Sequence, residues 1–176
     1  MKLRSLLHAV VVAAVAVSIA AVGGAQQGPP PKVMRWQGKP LPRIHMKSIS
    51  GRTITNRTLR GKVVVIDFWA TWCGPCKAAS PIMQKMHAKY GSRGLVVIGA
   101  DVWERAETRN PAQNYAKGHG YTYTFTVKND DLAKTLGLQG IPTMLIVDRH
   151  GKIARVVVGY DSRLESMLDT AISKLL

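Results

Sequence analysis

Two cysteines are the whole supply of this 176-residue chain, and they stand three positions apart, at Cys73 and Cys76. A bridge between them closes a loop of only two intervening residues, which removes little entropy from the unfolded chain. The pair is therefore poor as a structural staple. Acids are scarce as well: 10 Asp and Glu face 25 Lys and Arg, a formal net charge of +15. Such a charge can steer acidic partners or anionic surfaces. No basic run exceeds two or three residues, however, and no basic stretch is interleaved with aromatics, so no specific nucleic-acid module is indicated. Internal repeats are also missing.

The one long apolar run, Leu6 to Val22, contains no acid, follows Lys2 and Arg4, and is succeeded by the small residues of "GGAQ". That order is the charged, apolar and small-residue pattern of a secretory signal, with the cut expected after Ala25 and a competing site at Ala21 to Gly23. The alternative is an uncleaved inner-membrane anchor, although the run falls just short of a comfortable span. No cysteine adjoins the cut, which excludes a lipid-modified form. The expected plan is a signal over 1–25, a Pro/Gly-rich lead-in over 26–40 and one domain over 41–176. The expected destination is the bacterial periplasm or the medium.

What the chain does have is alternation of strand and helix signals. "RIHMKSISGRTITNRTLRGK" reads as a hairpin around Gly51. Lys62–Ala70, "KVVVIDFWA", is a near-continuous apolar and β-branched run of the kind buried on both faces of a parallel sheet. A helix is expected from the cysteine motif through "KAASPIMQKMHAKYG", kinked by Pro81 and stopped by Gly91. "GLVVIGADVW" is a second buried strand. Asn110-Pro111 opens a short helix ending at Gly118, "YTYTFTV" is a short strand, and "DDLAKTLGLQG" is a helix with acids in its first turn. "TMLIVDRHGKIARVVVGY" is a hairpin turning at "DRHG", and Ser162 with Glu165 forms a capping-box pattern before a closing amphipathic helix. The sum is an α/β domain with a mixed central sheet, parallel first and antiparallel at the end.

The cysteines fall where a buried strand passes into a helix. Residues three apart on a first helical turn are neighbours, so their sulfurs can bond. Pro75 sits where a missing N–H costs nothing. The free N–H groups and positive dipole end of the helix favour a thiolate on Cys73, and the thiolate is the nucleophilic form. Cys76 would then resolve the mixed disulfide. Two other readings stand beside this one: a structural disulfide, and half of a zinc site completed from His45, His87, His119 or His150.

"VVVIDFWATWCGPCK", followed about 65 residues later by "GIPTMLIVDRHGKI", resembles the thioredoxin superfamily, and more narrowly the exported TlpA/ResA-like thiol-disulfide oxidoreductases. The resemblance covers about Pro40 to the C-terminus. It implies a thioredoxin-like fold with an N-terminal hairpin and a central insertion over 103–121. It also implies that Cys73 is the nucleophile and Cys76 the resolving thiol of a redox-active disulfide. Pro142 would follow a cis bond and face the pair, leaving the Ile141 backbone free for substrate, while Trp72, Gly74 and Pro75 would form the rest of the docking surface. Asp67, a carboxylate in an apolar strand, would handle the proton of Cys76. Two departures matter: "LVVIGADV" supplies no lysine to pair with that acid, and Ala79 stands where relatives often carry glutamate.

The resemblance implies no cofactor and no metal. The Cys-Gly-Pro-Cys pair with isoleucine before the proline is similar to reducing thioredoxins rather than to oxidants of the DsbA type. A monomeric dithiol reductase of protein disulfides is therefore expected, fed by a membrane thiol donor, with apocytochrome c or metal-assembly proteins as candidate substrates. An oxidase or isomerase is the first alternative, and a basic binding module with a structural disulfide is the second. The missing threonine and proline before a lone peroxidatic cysteine argue against a peroxiredoxin.

Overall fold

Every side chain of Val63–Trp69 is buried, Asp67 included, and this run is an interior strand of a seven-stranded sheet. In the structure, a computed structural model, residues 29–105 and 109–176 are described. The expected signal over 1–25 lies outside them. Among the described residues no helix is long and apolar enough to cross a membrane. The strands are β1 (His45–Ser48), β2 (Thr53–Thr55), β3 (Val63–Trp69), β4 (Leu95–Asp101), β5 (Thr124–Val127), β6 (Thr143–Val147) and β7 (Ile153–Val158). The helices are α1 (Gly74–Tyr90), α2 (Pro111–His119), α3 (Asp130–Leu136) and α4 (Leu164–Leu175).

The sheet order is β2-β1-β5-β4-β3-β6-β7. β3, β4 and β5 run parallel, while β6 and β7 complete one side and the β1–β2 hairpin the other, all antiparallel. This is the mixed α/β arrangement expected, a central sheet flanked by helices. Strand side chains alternate between faces. Val63, Val65 and Trp69 therefore enter the core beneath α1, α2 and α4, while Val64, Ile66 and Phe68 enter the opposite one, beneath α3. Burying each such large side chain stabilises the fold by about 1.5–3 kcal/mol.

Several local expectations are corrected. The lead-in is extended at Pro31, then winds into a 3-10 turn at Lys32–Trp36. Val33 is buried there, and the Trp36 indole N–H donates to the Leu136 carbonyl at 3.1 Å. Apolar residues three apart give that turn a face to dock. α2 passes Gly118 and ends on Gly120, at φ 67°. α1, by contrast, ends as expected, continuing through Pro81 to Tyr90 with Gly91 as its C-cap, and Gly94, at φ 104°, then reverses the chain. The Ser162–Glu165 capping box does not form. The Asp161 carboxylate accepts the Arg163 N–H at 2.7 Å, and Glu165 instead contacts the Lys85 ammonium on α1.

Candidate active site

α1 opens immediately beyond the C-terminal end of β3, and Cys73 is its N-cap. The extended backbone of Cys73 lets its side chain fold back over the first turn, where Sγ accepts the Cys76 N–H at 3.2 Å. A sulfur thus occupies the place that serine or aspartate takes at most helix starts. Cys73 and Cys76 are joined as a disulfide, with Cα atoms 5.3 Å apart. Cys76 is fully buried and Cys73 only 4 % exposed, whereas Gly74, Pro75 and Trp72 lie on the surface.

The Ile141–Pro142 bond is cis, and the Ile141 carbonyl oxygen lies 3.9 Å from Cys73 Sγ. Thr143 holds this loop by donating its hydroxyl to the Gly140 carbonyl at 2.8 Å, and Gly159 donates its N–H to the Pro142 carbonyl at 2.8 Å. Among the described residues, neither backbone group of Ile141 bonds to another backbone group. Trp72, Cys73, Gly74, Pro75, Cys76, Ile141 and Pro142 therefore converge on one end of the sheet.

Asp67 lies deeper. Strand parity turns it toward α1, between Val65 and Trp69. It is 1 % exposed, and neither carboxyl oxygen has a hydrogen-bond partner. Burial alone pushes its pKa up to about 7, because desolvation penalises the charged form. The residue opposite it on β4 is Gly99, so no cation sits beside it there. A Cβ at Gly99 would meet the Phe125 ring at 3.1 Å and Trp69 Nε1 at 3.2 Å, so a larger residue there would force one of the rings to shift. Burial, and secondarily the Asp67 charge, also push the Tyr123 phenol far above its usual range. It stays a neutral hydroxyl in the same core, which holds Ser80 as well; Ser80 donates to the Cys76 carbonyl at 3.1 Å.

Motif reasoning missed a brace on the outer side of the site. Glu104 accepts the Thr71 N–H at 2.5 Å and the Thr71 hydroxyl at 2.7 Å. The Trp72 indole N–H donates to the Trp103 carbonyl at 2.8 Å, and Trp103, at φ 54°, donates its own N–H to Asp130 at 2.8 Å. Asp101, at the end of β4, has its pKa pushed up to about 6, first by burial and then by the charges of Glu104 and Asp130. Nothing in "WERAETRN" announces these contacts, since each joins residues about thirty positions apart. A metal would need other residues, since among the described ones no group of three His, Cys, Asp or Glu is placed to hold an ion.

One sulfur capping a helix, its twin a turn inside and a cis-proline loop against both define a thiol-disulfide exchange centre on a thioredoxin-type fold. The chain belongs to the Redoxin family, whose model matches residues 36–172, and within it to the TlpA/ResA-like thiol-disulfide oxidoreductases of the thioredoxin superfamily. It is 30% identical over 129 residues to the thiol-disulfide oxidoreductase ResA of Bacillus cereus, covering 72% of each chain. It is 27% identical over 133 residues to ResA of Bacillus subtilis, covering 75% of this chain and 72% of that one. Among solved structures, a thiol:disulfide interchange protein of Chlorobium tepidum superposes with a TM-score of 0.67 at 27% identity, covering 79% of this chain and 97% of that one.

Proposed function

We propose that this chain is an exported dithiol reductase of protein disulfides, with Cys73 as nucleophile and Cys76 as resolving thiol. The observation that carries this reading is the Cys76 N–H aimed at Cys73 Sγ, 3.2 Å away. With the bridge reduced, that donor and the helix N-terminus favour a thiolate on Cys73. The thiolate attacks a substrate disulfide, forming a Cys73–substrate bond, and the substrate's other sulfur leaves as a thiolate and takes up a proton. Cys76 then gives its proton to the Asp67 carboxylate, attacks Cys73 Sγ and expels the second substrate sulfur as a thiol. Two electrons pass to the substrate, and the Cys73–Cys76 disulfide forms.

Asp67 suits the acceptor role because burial alone brings its titration to about 7. The unpaired Ile141 backbone offers pairing groups to an extended substrate strand, with exposed Trp72, Gly74 and Pro75 alongside. Pro142 keeps its own position free of a competing N–H. Residues 1–25 direct export to the periplasm or retain the protein at the inner membrane. There a membrane thiol protein restores the dithiol of the monomer, and apocytochrome c or metal-assembly proteins receive the electrons.

Trapping tests the reading. The Cys76→Ser form, expressed in the native envelope, is expected to accumulate substrate disulfide-linked to Cys73. Absence of any adduct overturns it. The direction is tested by equilibration with glutathione: a potential near the DsbA value of about −120 mV would instead assign an oxidase.

A further inference from the structure

A second concave site lies on the α3 face of the sheet, opposite the face that carries the cysteines. β3 meets it at Val64, about 15–20 Å along the strand from Trp69. The cavity has a volume of about 1050 Å³ and is lined by the 40–45 segment, the 55–60 turn and the β6–β7 turn. Its walls are fastened. Leu41 N–H donates to the Gly151 carbonyl at 2.8 Å. The Asn56 amide accepts the Ile44 N–H at 2.8 Å and donates to the Pro42 carbonyl at 3.0 Å. The Arg149 guanidinium donates to the carbonyls of Gly61 at 3.0 Å and Leu176 at 2.7 Å. The floor is apolar, from Leu41, Ile44, Leu59 and Val64, all buried.

The rim is cationic. Arg43, Arg57, Arg60 and Arg149 all line the cavity, together with His45 and His150. The single lining carboxylate, Asp148, is already engaged, accepting the N–H groups of His150 and Lys152, each at 2.9 Å. Among the described residues, Arg43, Arg57 and Arg60 form no ion pair and no side-chain hydrogen bond. A general excess of basic residues would be scattered and mixed with lysine. Here only arginine carries permanent charge on the rim, and the planar guanidinium fork matches the paired oxygens of a phosphate better than an ammonium does. The volume is at the upper end for small-molecule sites and exceeds what inorganic phosphate needs, which leaves the apolar floor for an organic portion.

We propose that this cavity binds a phosphate-bearing organic anion, with Arg43, Arg57 and Arg60 as its donors, independently of the disulfide site. The phosphate comes either from a soluble compound or from an anionic phospholipid headgroup. Arg149 is left out of the test because it fastens backbone. Isothermal titration of the full chain at fixed ionic strength uses two probes: inorganic pyrophosphate and monomeric dihexanoyl-phosphatidylglycerol. Saturable binding of either supports the site, and the tighter probe identifies the source. The Arg57→Ala/Arg60→Ala double variant is expected to bind about tenfold or more weakly per guanidinium lost, with insulin-disulfide reduction unchanged. Lys117→Ala/Lys128→Ala removes the same charge elsewhere and is expected to bind as the parent does. Binding of neither probe overturns the proposal, and so does an equal loss in both double variants, which would mark net charge alone as the attraction.

Discussion

The two faces of the central sheet use charge in opposite ways. On the face of the sulfurs the acids are dried: Asp67 is 1 % exposed and titrates near 7, and Asp101 is pushed up to about 6. On the other face Arg43, Arg57 and Arg60 stand in solvent around the cavity. Burial therefore decides whether a charged residue titrates near neutrality or stays a fixed electrostatic feature. The same chain holds both because the sheet separates them, with one apolar core on each face.

The largest expected effect breaks the comparison at the sulfur end. Cys73→Ser should reduce insulin-disulfide reduction to the uncatalysed background while leaving the far cavity's pyrophosphate binding intact. Loss of both would mean that the two sites are coupled. Cys73 is a cap as well as the proposed nucleophile, and the serine hydroxyl can accept the same Cys76 N–H, so the helix start should survive this substitution.

Asp67→Asn comes next, and its sign can be worked out. The folded carboxyl titrates at about 7 against 3.8 unfolded, so between those values the folded state holds the extra proton. Stability is thus lost as pH rises through about 7, by on the order of 4 kcal/mol once deprotonation is complete. The amide and the neutral acid carry similar desolvation costs, about 1–3 kcal/mol where unpartnered. The variant should therefore match the parent in urea unfolding near pH 4 and exceed it by a few kcal/mol at pH 8. Its reductase rate at pH 8 should fall roughly a hundredfold, in keeping with loss of a general base. A variant with an unchanged stability-versus-pH curve would show that the carboxyl is not dry.

Gly99→Ala sharpens the same point beside that carboxyl. The added methyl would press on Phe125 and Trp69, both buried, at 3.1–3.2 Å. Overpacking of this kind costs about 1–3 kcal/mol, and a lowered urea midpoint with an unchanged slope is the expected result. The midpoint should be unaffected if the Phe125 and Trp69 rings can give way.

How much of this was visible in the residues alone follows from range. β3 and β4 were legible because seven-residue apolar runs have one physical explanation, burial on both faces. The placement of the cysteine pair, Pro142 and Asp67 was legible because it is local to a motif. The end of α2 was misplaced at Gly118 because a glycine permits a left-handed turn without requiring one, and Gly120 took that role instead. The docked Lys32–Trp36 turn was hidden because prolines around it suggested an extended chain, while its partner Leu136 lies 100 positions away. The Glu104 brace and the far cavity were invisible for the same reason: each exists only when distant segments meet.

The smallest effect tests whether the acids at the sulfur end truly act on one another. Glu104 holds Thr71 through two charge-assisted hydrogen bonds, yet it also stands against Asp101 and helps to keep that carboxyl protonated. Glu104→Gln weakens the first interaction at every pH, at a cost of about 1 kcal/mol. It relieves the second only where Asp101 is ionised, above about pH 6. The penalty on folding should therefore be larger at pH 5 than at pH 8, by less than about 1 kcal/mol given the partial exposure of Glu104. Urea denaturation of parent and variant at both values measures the difference. A penalty that is equal at the two pH values would mean that solvent screens the acids from one another, and that Asp101 owes its shift to burial alone.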